Sequence, residues 1–382
     1  MAFAWIGFAG SAQDLSGREF WFTMPQNSGG ASATNTYLLS LVSDYCSTVT
    51  VEIPHLGWSE TVTLIPGLPT DVTLPNRTSG QTIYHERKNI VEGKGIHITA
   101  DFPLVVYAVM YTSASTDAET ILPMRMMGTD YVASFMTVMR DGSNNFGYMT
   151  VVATEDNTDV QIETWDGTTP ITVNQTLMKG ETYMIEQNKS NCKGDLNTTY
   201  RCWSFSGSVI KATKPVGVVC STPCSDFPQC GACDGMMAMY TPIEEWGTSF
   251  VTSQVTKRKP LQTCGNYDGI ADILEITGPI GTNVTIKNQD GVTNLIIDKT
   301  INNGAPDYGY GTIIWNNPPF GGLTDPETSG ESNTVITTDQ PVEVMQYSKA
   351  YGFDDTPDTD PECIVVYPDH MWSSEYLIGN PP

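Results

Sequence analysis

Four histidines, nine cysteines and 43 acidic residues are the groups in this chain that could carry chemistry. A Ser or Cys nucleophile needs a histidine in reach and a third group to orient it. His55, His85, His97 and His370 are the whole supply, and His97 stands in the strand-like run GIHITA, where it reads as a half-buried structural residue. No G-x-S-x-G elbow, phosphate-cradling glycine loop or H-E-x-x-H helix occurs. Acidic residues suited to glycoside hydrolysis are plentiful, but the sequence singles out no pair, so a secreted glycosidase is the remotest reading.

Seven of the nine cysteines fall between Cys192 and Cys264, a density that reads as local disulfides formed in an oxidising compartment. Cys192 and Cys202 flank a short polar loop, and Cys220, Cys224, Cys230 and Cys233 crowd the segment CSTPCSDFPQCGAC; these six are the disulfide candidates. The last four could also hold zinc, and CGAC could be a redox-active C-x-x-C. An oxidising compartment, and a Gly/Pro loop without a helix to lower a thiol pKa, favour disulfides over both. The odd count leaves one thiol free or paired between chains. A second dense loop, YGFDDTPDTDPE, holds Asp354, Asp355, Asp358, Asp360 and Glu362. It could supply several of the six to eight oxygens that calcium takes, although it lacks EF-hand spacing and also reads as a solvated acidic loop. Sequons at Asn76, Asn174, Asn188, Asn197 and Asn283 would be glycan sites only in a eukaryotic secretory pathway.

The elements that must position these groups recur three times, in one order. A Gly-x-x-aromatic opening appears as GREFWF at Phe20, GTDYVA at Tyr131 and GTSFVT at Phe250, with a weaker fourth, SSEYLI, at Tyr376. An alternating strand follows as TVTVEI, TDVQIE and TNVTIK, aligning Val49, Val160 and Val284. A proline then precedes an apolar run at Pro103, Pro215 and Pro341, read as the start of a strand, where a missing N–H costs no ladder bond. Pro123, Pro242 and Pro368 stand the same distance ahead of Tyr131, Phe250 and Tyr376, so the junctions repeat too.

Apolar alternation and turn signals such as DNTD and WDGT suit about seven short strands per repeat, the pattern of an antiparallel β-sandwich. The expected fold is therefore all-β: three tandem sandwich-like modules at 15–127, 128–246 (with the Cys-rich loop 220–233) and 247–372 (with the acidic loop 351–362). Residues 373–382 would open a fourth module or form a linking strand. Residues 1–14, apolar and then small, resemble the remnant of a secretory signal, and no other segment is long enough to span a bilayer. A net charge of -24 would repel phosphate backbones and anionic membranes, which excludes nucleic acid as a partner.

From Pro215 to Val251 the chain reads PVGVVCSTPCSDFPQCGACDGMMAMYTPIEEWGTSFV. This segment resembles the amino-terminal domain of the IgG Fc-binding protein family, found in secreted mucus proteins of animals and in many bacterial surface proteins. That family's pattern runs Pro-Val-x-Val, a loop with a Cys pair, an Asp or Asn, and Pro-x-x-x-Trp-Gly-x-x-aromatic. The resemblance implies that Cys224 and Cys233 are the pair, Asp234 the acidic residue and Trp246-Gly247 the following turn. Cys220 and Cys230 are additions, and Gly235 stands where the family often has His. The scaffold returns around Leu122 and Asp360. The resemblance implies a secreted or cell-surface adhesion protein, non-catalytic, binding an extracellular protein or glycan through its loops. The alternative is a subunit of an extracellular filament, in which copies of the chain join through strand edges.

Overall fold

The computed structural model describes residues 15–27, 35–112, 115–135, 147–165, 169–186, 205–225, 233–253, 272–288, 291–298, 307–316, 333–348 and 361–372. Every regular element among them is a strand or a single 3-10 turn. The first module holds β1 (Gly17–Phe22), β2 (Thr36–Val42), β3 (Ser47–Ile53), β4 (Trp58–Leu64) and β5 (Thr70–Leu74). It continues with the short β6 (Arg77–Thr78), β7 (Gln81–Thr82) and β8 (Val91–Glu92), the long β9 (Ile96–Thr112) and β10 (Ser115–Ile121). The second holds β11 (Gly128–Val132), β12 (Tyr148–Ala153), β13 (Thr158–Trp165), β14 (Pro170–Leu177), β15 (Thr182–Glu186), β16 (Val209–Ser225) and β17 (Asp234–Met239). The third holds β18 (Gly247–Thr252), β19 (Ile273–Pro279), β20 (Asn283–Asn288), β21 (Gly291–Ile296), β22 (Tyr310–Asn316), β23 (Thr334–Tyr347) and β24 (Cys363–Val366).

The topology is the same three times. In the first module the front half of β9 pairs with β1 and β3, and β3 with β4; its rear half pairs with β2 and β10, and β2 with β5. β16 and β23 divide their partners in the same way. One long strand thus belongs to both sheets of each sandwich and carries the chain around the corner between them. Period-two alternation aims Val49, Val51 and Ile53, Val160 and Ile162, and Val284 and Ile286 into the cores.

Pro103, Pro215 and Pro341 do not begin strands. Each lies inside its long strand, in the gap between the first run of pairs, which ends at Ala100, Ala212 and Thr338, and the residue where the opening strand pairs again, Leu104, Val216 and Val342; partners on the second side begin at Val105, Val216 and Glu343. The missing N–H falls at the corner, where no ladder bond would form, so the chemistry of the expectation holds while its position in the strand does not. The Pro103 and Pro215 carbonyls accept hydrogen bonds from the Ser43 and Thr154 hydroxyls, both at 2.6 Å.

Pro123, Pro242 and Pro368 close each module on its own opening glycine. A Cβ on Gly17 would lie 2.3 Å from the Pro123 Cβ, on Gly128 2.5 Å from the Pro242 Cβ, and on Gly247 2.2 Å from the Pro368 Cβ. The Gly-x-x-aromatic opening is therefore a packing requirement, met by the one residue without a Cβ. Gly247→Ala is expected to destabilise the third module by about 1–3 kcal/mol through overpacking against Pro368. Denaturant melts of the variant measure this, and an unchanged midpoint would show that the closure is slack.

Candidate functional site

The cysteine loop begins and ends on the β16–β17 hairpin. Cys224, near the end of β16, is joined to Cys233, just before β17. Asp234 turns its carboxylate to the Thr116 amide of β10, 2.9 Å from Oδ1, and also accepts the Gly235 amide at 2.7 Å. The Gly235 amide reaches the Ser115 hydroxyl at 3.0 Å, and that hydroxyl donates to Asn27 at 2.8 Å. A Cβ on Gly235 would lie 3.0 Å from Asn27 Oδ1 and from the Met110 methyl, so the small residue here fits against the first module.

These contacts open a ladder along the free edge of β17. Its Tyr240 end shows the phase: the Tyr240 amide donates inward to the Val218 carbonyl, so residues 235, 237, 239 and 241 point their amides away from β16. All four meet side chains. Gly235 meets Ser115, Met237 donates to the Asp117 carboxyl, and Met239 donates to Glu119. Thr241 donates to Glu343 of β23 at 3.2 Å, and its hydroxyl does so at 3.0 Å. Ser115, Asp117 and Glu119 alternate on one face of β10, matching the two-residue period of the edge they cap. The Met237 carbonyl receives the Cys363 thiol of β24 at 3.4 Å, so this one residue touches both neighbouring modules.

Burial sets the electrostatics of the ladder. It raises the Asp117 carboxyl well above its ordinary range, and pushes Glu119 and Glu343 up to about 8. Cys220 and Cys363 are buried free thiols whose pKa values burial also raises, which suppresses the reactive thiolate.

Among the described residues, the closest approach to a nucleophile, base and acid lies between the first two modules. His85 Nδ1 is 2.8 Å from the Thr182 hydroxyl, and its Nε2 is 3.4 Å from Glu92. Thr182 is fully buried, and its hydroxyl donates to the Glu92 carbonyl at 2.9 Å, so the group joins the modules where β8 pairs with β15. His97 lies between Glu52 (2.7 Å) and Glu19 (3.0 Å), stacked on Trp21. Both its ring nitrogens are engaged, as its strand position suggests. His55 binds the Lys179 carbonyl, and His370 sits in the last 3-10 turn.

Of the six disulfide candidates, Cys224 and Cys233 pair. Cys220 does not: it faces the core of the second module as a free thiol, a correction to the reading from cysteine density. Cys192, Cys202 and Cys230 lie outside the described residues, as do Asp354, Asp355, Asp358, Asp360, Tyr376, residues 1–14 and the sequons at Asn188 and Asn197. Glu362 is described, its amide 3.2 Å from the Ser348 hydroxyl. Among the described residues no cluster of three His, Cys, Asp or Glu side chains has metal-binding geometry, and no helix is long and apolar enough to cross a membrane.

Sandwich repeats fastened through their last strands, with a Cys224–Cys233 disulfide on the central hairpin, define a multi-module β protein. The profile of the IgGFc binding protein family matches residues 117–382, and the chain belongs to that family. It is a family of extracellular binding domains, not of enzymes. No curated protein matches the sequence.

A buried carboxyl with a raised pKa keeps its proton where the unfolded chain would release it. The folded state then binds more protons, and stability falls as pH rises. The melting temperature is expected to fall as pH rises from about 4.5 through about 8, the span over which Glu119 and Glu343 differ between the unfolded and folded chain. A Glu119→Gln, Glu343→Gln double variant keeps neutral acceptors for the β17 amides and should flatten that slope. A wild-type melting temperature constant or rising over this window would contradict the assignment.

Proposed function

We propose that the chain is a secreted or cell-surface adhesion module that binds an extracellular protein or glycan through the ends of its closing hairpins. The observation that carries this is the β10, β17 and β24 arrangement. Contacts between Ser115 and Gly235, and between Met237 and Cys363, hold these strands side by side. The strand ends that bracket the cysteine loop, Cys224 and Cys233, are thereby fixed to the β10 hairpin by the Asp234–Thr116 bond. A binding loop fixed at both ends loses less freedom on contact, which favours affinity. The family supports extracellular binding; antibody Fc is the partner its name suggests, and a mucin-type glycoprotein is the partner a surface adhesin would meet.

Replacing residues 226–232 by a Gly/Ser linker, with Cys224 and Cys233 retained, is expected to abolish binding to immobilised Fc or mucin while the melting temperature stays within a few degrees of wild type. Binding that persists undiminished would place the contact elsewhere. Wild-type binding no greater than to an albumin surface would sink the adhesive reading for these partners.

A further inference from the structure

The second and third modules each seat the turn before their fifth long strand on the module before them. In the second module this is turn 178–181. A Cβ on Gly180 would lie 3.1 Å from the Trp21 ring, the Lys179 ammonium lies over that ring, and the Gly95 amide donates to the Gly180 carbonyl at 3.0 Å. In the third module it is the turn ending at Tyr308 and Tyr310. The Tyr308 hydroxyl donates to the Thr164 carbonyl at 2.9 Å, both tyrosines pack against the cluster of Val132, Val209 and Trp246, and the Tyr310 ring meets Trp246 edge-on. Trp21 and Val132 are the same position of the repeat, one residue after the opening aromatic, and they are 1% and 0% exposed.

The third module repeats the receiving surface, and among the described residues no turn is seated on it. Its equivalent residue, Val251, is 37% exposed. Trp372, equivalent to Trp246, is 42% exposed against 5%. It is nevertheless held in the same pose: the Trp246 indole N–H donates to the Thr241 carbonyl, and the Trp372 N–H to the equivalent Tyr367 carbonyl, at 3.1 Å. In the first module nothing among the described residues covers the corresponding turn, 65–69. Ile65 is 60% and Leu68 55% exposed, and the Gly67 amide between them donates to the Ser43 carbonyl.

We propose that the Val251/Trp372 surface is a docking site for a second copy of this chain, which inserts its 65–69 turn as turns 178–181 and 307–309 are inserted within the chain. The contact continues an interface already built twice, and an ordered, exposed tryptophan is the kind of anchor on which binding energy concentrates. A head-to-tail contact of this kind is heterologous, so it adds copies without closing on itself as a two-fold dimer does. The inference stands apart from the outer ligand proposed above.

Sedimentation velocity on the full 382-residue chain over a concentration series tests it. Wild type is expected to show a growing series of oligomers. Val251→Glu spoils only the receiving surface and Leu68→Glu only the inserted turn. Each should sediment as a monomer alone, and an equimolar mixture should form a one-to-one pair that grows no further. Both side chains are exposed, so equal melting temperatures would verify folding. A wild type that stays monomeric up to about 100 μM, weaker than most specific association, would overturn the proposal. So would oligomers that survive both substitutions, or a mixture that fails to pair.

Discussion

An edge strand with unmet amides inside a protein is the constraint on which this architecture turns. β17 pairs on one side only, with β16, and its other side is buried between modules, where an unsatisfied N–H costs about 1–3 kcal/mol. The chain meets that cost with side chains in place of a further strand: Ser115, Asp117 and Glu119 from one neighbour and Glu343 from the other. Capping closes the edge to foreign strands and fastens three sandwiches together by the same bonds.

The repeat is a shared frame with divergent fittings. Counted back from Pro123 and Pro242, Asp117 and Glu119 occupy the positions of Met236 and Ala238. The latter two sit in an apolar cluster that includes Met345, Tyr347 and Cys363 of the third module. One position of the last strand therefore meets the next module through carboxyls at the first junction and through apolar packing at the second. The corner proline, the glycine–proline closure and the split long strand stay constant, because they are demanded by the sandwich itself.

Much of the frame was legible because it is written in local signals. Val49, Val160 and Val284 alternate with polar neighbours, and the opening glycines recur at fixed distance from an aromatic residue. Pro103, Pro215 and Pro341 were misplaced because a proline marks an absent ladder bond equally well at a strand start and at the point where a strand changes sheets. Cysteine density marked the loop and the family resemblance picked out Cys224 and Cys233 as its pair, but density also counted Cys220 among the bridging candidates, since crowding in sequence does not say which face a strand residue takes. The capping acids were invisible for a related reason. In STDAETI, alternation separates the polar face from the other, and a polar face ordinarily means water. Only the packed structure shows that this face is covered by the edge of β17.

Amide hydrogen exchange on β17 tests the central claim most directly. If the edge is capped as described, the amides of Gly235, Met237, Met239 and Thr241 should exchange about as slowly as Tyr240, which bonds inward to Val218. Exchange of those four at the rate of an open edge, with Tyr240 still protected, would mean that the modules are joined by something other than the side-chain ladder.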